Sequence, residues 1–248
     1  AYAERIRFSA MALFSLLWLL LVYSPLAHWV WGGGWMASMG ALDFAGGAVV
    51  HMSSAAAALA CAHALGPRLG LARGETVPHN LPMTLLGTGI LWFGWFGFNA
   101  GSALSAGPLA GNALATTQLA TAAGILGWLA VENKHNGKPT TLGAASGALA
   151  GLVAITPAAG FVSPGAALII GFAGGLLCYG GVLMKRRLGY DDALDVVGIH
   201  GVGGTWGALA TGLFASASIN GVDGLLHGNP EQLWIQFVSV IGTWGFCY

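Results

Sequence analysis

ALDFAGGAVVH, residues 41–51, is apolar or small at every position but two, Asp43 and His51, and it runs on into MSSAAAALACAHAL without another full charge. An acid in a run fit for lipid needs a reason. An ionised Asp at the centre of a membrane helix costs ~2.5–3.5 kcal/mol even on the lenient insertion scale, so intramembrane acids point to function. The competing reading is local: an Asp at a helix start accepts hydrogen bonds from free backbone N–H groups.

The rest of the chain fits the setting. Of 248 residues, 56% are hydrophobic and 7% charged, against about 25% charged in a soluble domain. The 41 glycines suit close packing of helices in a membrane. Cys61, Cys178 and Cys247 lie singly in apolar runs, with no CxxC pair for a disulfide framework or a thiolate metal site. Both ends read as interior to a longer protein: AYAERIRF has no initiator Met, and the chain stops inside the apolar run WIQFVSVIGTWGFCY. One membrane domain over 1–248, all-α and polytopic, is expected.

Apolar runs of spanning length fall near 8–30, 42–65, 81–104, 114–131, 140–158, 162–184, 195–215 and 232–248, about eight spans. Lys and Arg occupy alternate connections: Arg5 and Arg7; Arg68 and Arg73; Lys134 and Lys138; Lys185, Arg186 and Arg187. The connections between them carry none. By the positive-inside rule the basic connections are expected to be cytoplasmic.

ALDFAG at 41–46 returns as ALDVVG at 193–198, and each copy is followed by a histidine, His51 and His200. By the span count the copies lie five helices apart, which reverses direction. Antiparallel internal repeats are the mark of inverted-repeat transporters with a midplane site. His51 lies about 12 Å along its helix from Asp43, and His200 about 7.5 Å from Asp195. The two imidazoles approach the middle from opposite sides, and both aspartates stand where a helix cap would.

Five stretches carry a resemblance to a known family: AERIRFSA (3–10), WGGGWMASMGALDFAGGAVVH (31–51), GWFGFNAGSA (94–103), GKPTTLGAASGALAGLVAITPAAGF (137–161) and DDALDVVGIHGVGGTWGALATGLF (191–214). The chain resembles the ammonium transporter (Amt/Mep/Rh) family over its whole length, from the end of the third family helix into the eleventh. The resemblance implies eleven helices in the complete protein, inverted halves, a homotrimer with one pore per subunit, and ammonium or ammonia as substrate. It implies roles for Trp31 as the aromatic wall of an outer recruitment site, Ser102 as its hydroxyl acceptor and Asp43 as the acid at the pore mouth. Phe98 matches one of two stacked gating rings, the other lying before Ala1. His51 and His200 match the pore pair, and Asp195 the acid of the inner half. A nitrogen-regulatory protein of the PII kind at the cytoplasmic face is a further implied partner. No cofactor, metal or nucleic acid is expected, and no enzyme activity.

The residue chemistry agrees with that role. A π face attracts a cation by roughly 0.5–2 kcal/mol, and a hydroxyl accepts one N–H, which potassium cannot donate. Trp31 alone would equally suit an interfacial belt. Neutral imidazole has one donor and one acceptor, so two facing rings can share a hydrogen bond and still meet substrate. Trp92, Phe93, Trp95 and Phe96 read as packing or lipid-facing. Three rivals remain. Ser146 in AASG with His200 would suit an intramembrane serine protease, and the Asp and His pairs a divalent metal transporter. The third is an ammonium sensor built on a transporter body.

Overall fold

The structure, a computed structural model, describes residues 1–71 and 78–248. Arg73, one of the basic connection residues, lies outside the described residues. Among these the chain is helical and contains no strand. The helices are α1 (Phe8–Trp18), α2 (Ser24–Trp31), α3 (Trp35–Met39), α4 (Ser53–Leu65), α5 (Leu81–Gly101), α6 (Pro108–Asn136), α7 (Thr141–Ile155), α8 (Pro164–Leu188), α9 (Val202–Phe214), α10 (Ala217–Asn220) and α11 (Pro230–Cys247). Among the described residues, five helical stretches are long and apolar enough to cross a membrane: Phe8–Met39, Gly47–Leu65, Leu81–Gly101, Pro108–Asn136 and Pro164–Leu188. The shorter helices α7, α9 and α11 fall on the other three expected spans.

Local chemistry sets the boundaries. Asn80 accepts from Met83 N at 3.0 Å, Thr140 from Gly143 N at 2.9 Å and Ser163 from Ala166 N at 3.3 Å, side-chain caps at the starts of α5, α7 and α8. Pro82, Pro108 and Pro164 sit in first turns, where a missing N–H costs nothing. Gly137 and Gly189 end α6 and α8 in the left-handed conformation.

Packing is carried by small residues. A Cβ on Gly147 or Gly151 of α7 would strike the backbone of α6, and one on Gly175 of α8 would do the same. The α6–α7–α8 core therefore packs backbone to backbone, as small-residue stripes allow in lipid.

Two spans differ from expectation in a way that matters. Residues 41–46 are not helical, and the helix begins at Gly47 with a π-helical turn, Gly47–Met52. A further π-helical turn, Val197–Gly201, precedes α9, and another, Leu19–Tyr23, joins α1 to α2. Each histidine sits in one of these turns, and wide turns of this kind concentrate at functional sites.

Candidate functional site

The loop before the Gly47–Met52 turn is held by its own acid. Asp43 Oδ1 accepts from Gly46 N at 2.8 Å and Gly47 N at 2.6 Å; Oδ2 accepts from Ala48 N at 2.8 Å and Val49 N at 3.2 Å. Four free N–H groups meet the roughly four acceptor positions of one carboxylate. Gly46 makes this possible with φ of +120°, and a side chain there would meet Val50 and Trp31. The Trp31 indole N–H donates to the Asp43 carbonyl at 2.8 Å, and Phe44 N donates to Pro157 O at 3.0 Å. Asp43 is 8% exposed, whereas the Trp31 ring remains 47% exposed.

His51 is 2% exposed. Its Nδ1 lies 3.1 Å from Nδ1 of His200, with ring centroids 5.1 Å apart. Two neutral imidazoles sharing one bond must differ in tautomer. The ring that donates from Nδ1 has a bare Nε2, and the other carries its proton on Nε2. The pair thus presents one acceptor and one donor away from the shared bond. The Nε2 of His51 is buried and meets no partner among the described residues. Gly204 of α9 lets the helices approach: a Cβ there would lie 3.1 Å from that of His51.

Aromatic rings form the adjoining wall. Trp95 stacks on His51 at 5.4 Å with 17° between planes, and its indole N–H is fixed on Thr156 Oγ1 at 3.0 Å. Phe98 lies 6.2 Å from His51 and 5.4 Å from Trp95, and is 38% exposed. These rings border a cavity of about 460 Å³ whose other lining residues include Val50, Ile90, Leu91 and His200. Among the lining residues only the two imidazoles, the Trp95 indole and Ser54 carry side-chain polar atoms. Ser102, at the C-terminus of α5, donates to Phe98 O at 2.9 Å and keeps its oxygen lone pairs.

The second half corrects the sequence reading. Asp195 does not cap its helix. It has φ of +57° and pairs with Lys185, its side chain about one third exposed. The cap is Asp192, whose Oδ2 accepts from Val197 N at 2.7 Å and whose Oδ1 lies 3.4 Å from Leu194 N. The neighbouring Asp191 is held by Arg68, through Nε and a terminal nitrogen at 2.9 Å each, and by Arg5 at 3.1 Å. Burial pushes the Asp191 carboxyl up, but the Arg68 and Arg5 guanidinium groups outweigh it and leave the acid below its ordinary value. The same contact raises Arg68.

Sequence reasoning therefore missed three features: Asp192, Trp95 and the π-helical turns. A signal for the first was present. Asp43 precedes His51 by eight residues, and Asp192, not Asp195, precedes His200 by eight. Trp95 gave no signal beyond its place in an aromatic-rich helix.

Comparison with known proteins bears on the whole chain. The model of the Ammonium Transporter Family matches residues 1–248. A Bacillus subtilis protein named ammonium transporter is 57% identical over 251 residues, covering 100% of this chain and 62% of that protein. Ammonium transporter Amt1 of Archaeoglobus fulgidus is 48% identical over 253 residues, covering 100% of this chain and 63% of that one. The crystal structure of Saccharomyces cerevisiae Mep2 superposes with a TM-score of 0.91 at 39% identity, over 97% of this chain and 56% of that one. A structure described as a sensor Amt protein gives 0.90 at 32% identity, over 99% and 63%. The chain spans about three fifths of the length of these curated relatives.

Proposed function

The chain belongs to the ammonium transporter family, a family of transporters rather than of enzymes, and on that premise we propose that the full-length protein moves ammonium across a membrane through the cleft at His51 and His200. The observation that carries the proposal is the facing imidazole pair, 3.1 Å apart beside an apolar aromatic cavity. Such a cavity opposes a cation. Transfer of a small ion into low dielectric has an idealised cost of order 20 kcal/mol, and even the relaxed cost is several. Neutral ammonia escapes most of it.

In the proposed sequence, ammonium is recruited between the exposed face of Trp31 and the hydroxyl of Ser102. The cation releases a proton to water at the outer mouth, and ammonia passes Phe98. Its lone pair and N–H bonds then meet the donor and acceptor that the histidine pair leaves free. Asp43 is not the proton acceptor. Its oxygens are committed to four backbone N–H groups, so it acts through negative potential and by holding the turn that bears His51.

The two histidine-bearing π-helical turns are the corresponding points of inverted halves, with Asp43 and Asp192 as paired acids. Residues 1–248 form one multi-pass membrane domain, its Lys- and Arg-bearing connections cytoplasmic in the cell (plasma or inner) membrane. It assembles as a homotrimer and takes up nitrogen for the cell. A PII-type regulator would meet the same basic face. The second reading, a sensor on the same body, is favoured by the likeness to a structure described as a sensor Amt protein.

Proteoliposomes of the full-length protein separate the readings. An ammonium jump that evokes current or a change of luminal pH, with none for potassium, supports transport. Saturable ammonium binding without either signal means a receptor and overturns it.

A further inference from the structure

Helix α11 contributes none of the residues described above, yet it holds two buried glutamines, Gln236 at 1% and Gln232 at 3% exposure. A buried primary amide in an apolar helix is costly unless its hydrogen bonds are made. Those of Gln236 are all made, the short ones across to other segments and a longer one from Gln232 Nε2 within α11 at 3.5 Å. Gln236 Oε1 accepts from Leu42 N at 2.7 Å; its Nε2 donates to Leu42 O at 2.8 Å and to Ala208 O of α9 at 2.9 Å. Gln232 Nε2 adds a bond to Gly40 O at 3.0 Å.

We propose that Gln236 is a positioning residue for the outer acid: it fixes both peptide groups of Leu42, the residue before Asp43, and ties them to α9, the helix that continues from His200. The inference rests on the assignment of Asp43 and Trp31 to the substrate's outer site. Asp43 is held on its other side by Trp31, which donates to its carbonyl. The non-helical segment therefore has its backbone satisfied on one side by an amide from α11 and on the other by the recruiting indole. Moving the Leu42 peptide moves the Asp43 carbonyl, and with it the indole that is bonded there. Gly212 of α9 makes room for this reach, since a Cβ there would lie 2.9 Å from Gln236 Cγ.

The test uses full-length protein in liposomes, with ammonium influx followed as luminal alkalinisation above that of protein-free vesicles and read as half-saturating concentration and maximum. Gln236→Met keeps length and burial but strands the N–H and C=O of Leu42. It is expected to raise the half-saturating concentration about tenfold while the maximum stays within about twofold, the size of one or two buried hydrogen bonds. Gln236→Glu, protonated at this buried position, keeps the acceptor for Leu42 N and one of the two donors, so it is expected to show a smaller shift of the same kind. It also carries the test if the Met variant fails to fold. Asp43→Asn is run in parallel. If Asp43→Asn abolishes influx and the folded Gln236 variants keep the wild-type half-saturating concentration, the positioning role is overturned and the site assignment stands. If Asp43→Asn behaves as wild type, the site assignment itself falls. A loss of maximum with unchanged half-saturation marks a merely structural residue and also overturns the role.

Discussion

The two acid-capped turns meet one requirement with different chemistry. Asp43 and Asp192 each stand eight residues before a histidine, and each accepts from free N–H groups ahead of a π-helical turn. Their supports differ. The Asp43 loop is held by neutral groups, the Gln236 amide and the Trp31 indole. The Asp192 loop is held beside a cluster of ions, in which Asp191 is gripped by Arg5 and Arg68. What the halves share is an acid fixed against a turn. What surrounds the acid is free to change with the setting: amides avoid the desolvation cost of charges, while guanidinium groups serve where a basic connection lies nearby.

The largest effect should come from Asp43→Ala, which removes all four acceptor contacts at once. A loss of about 2–4 kcal/mol in thermal or denaturant unfolding is expected, from capping and charge-assisted bonds together, with transport abolished. The inner half gives the sharper contrast. Asp192→Ala is expected to cost about 1–2 kcal/mol as a lost cap. Asp195→Gly should stay within about 0.5 kcal/mol of wild type, because relief at positive φ offsets a partly exposed ion pair. If Asp195 proved the costlier substitution, the pairing of Asp43 with Asp192 would be wrong.

A smaller effect separates the supports themselves. Arg68→Gln is expected to cost about 1 kcal/mol, lessened by salt, since the guanidinium is partly exposed. The sign of its pH dependence follows from Asp191. A carboxyl held below its unfolded value adds stability above that value, near pH 3.9, and the gain is lost as pH falls through the folded value. The difference in melting temperature between wild type and Arg68→Gln should therefore persist from pH 8 to 5 and shrink below about pH 4. Gln236→Met, by contrast, should show no such salt or acid dependence. Smallest of all, Ser102→Ala should leave stability within about 0.5 kcal/mol and weaken half-saturation by about fivefold, the worth of one hydrogen bond.

Much of this was legible in the residues. Apolar runs and alternating basic connections located the helices, because each follows from short-range chemistry. The repeated ALD motif located the two histidines and the outer acid. It misled at the inner acid, where matching letters in ALDFAG and ALDVVG drew the eye to Asp195. The cap is set by distance from the turn it serves, and that distance selects Asp192. The Trp95 stack on His51 and the Gln236 clamp on Leu42 depend on which helices become neighbours across 44 and 194 residues of chain. No local pattern reports that.

The most direct test of the central claim is ammonium-evoked current in liposomes containing full-length protein, recorded for wild type and for the double variant His51→Ala, His200→Ala, with luminal pH followed in the same vesicles. The structure leads to ammonium-dependent current or luminal alkalinisation in wild type, absent with potassium, and a marked fall in ammonium flux when both rings are removed from a folded protein. Unchanged flux in the folded double variant would contradict it, because ammonia would then cross without the pair that the two acid-capped turns bring together.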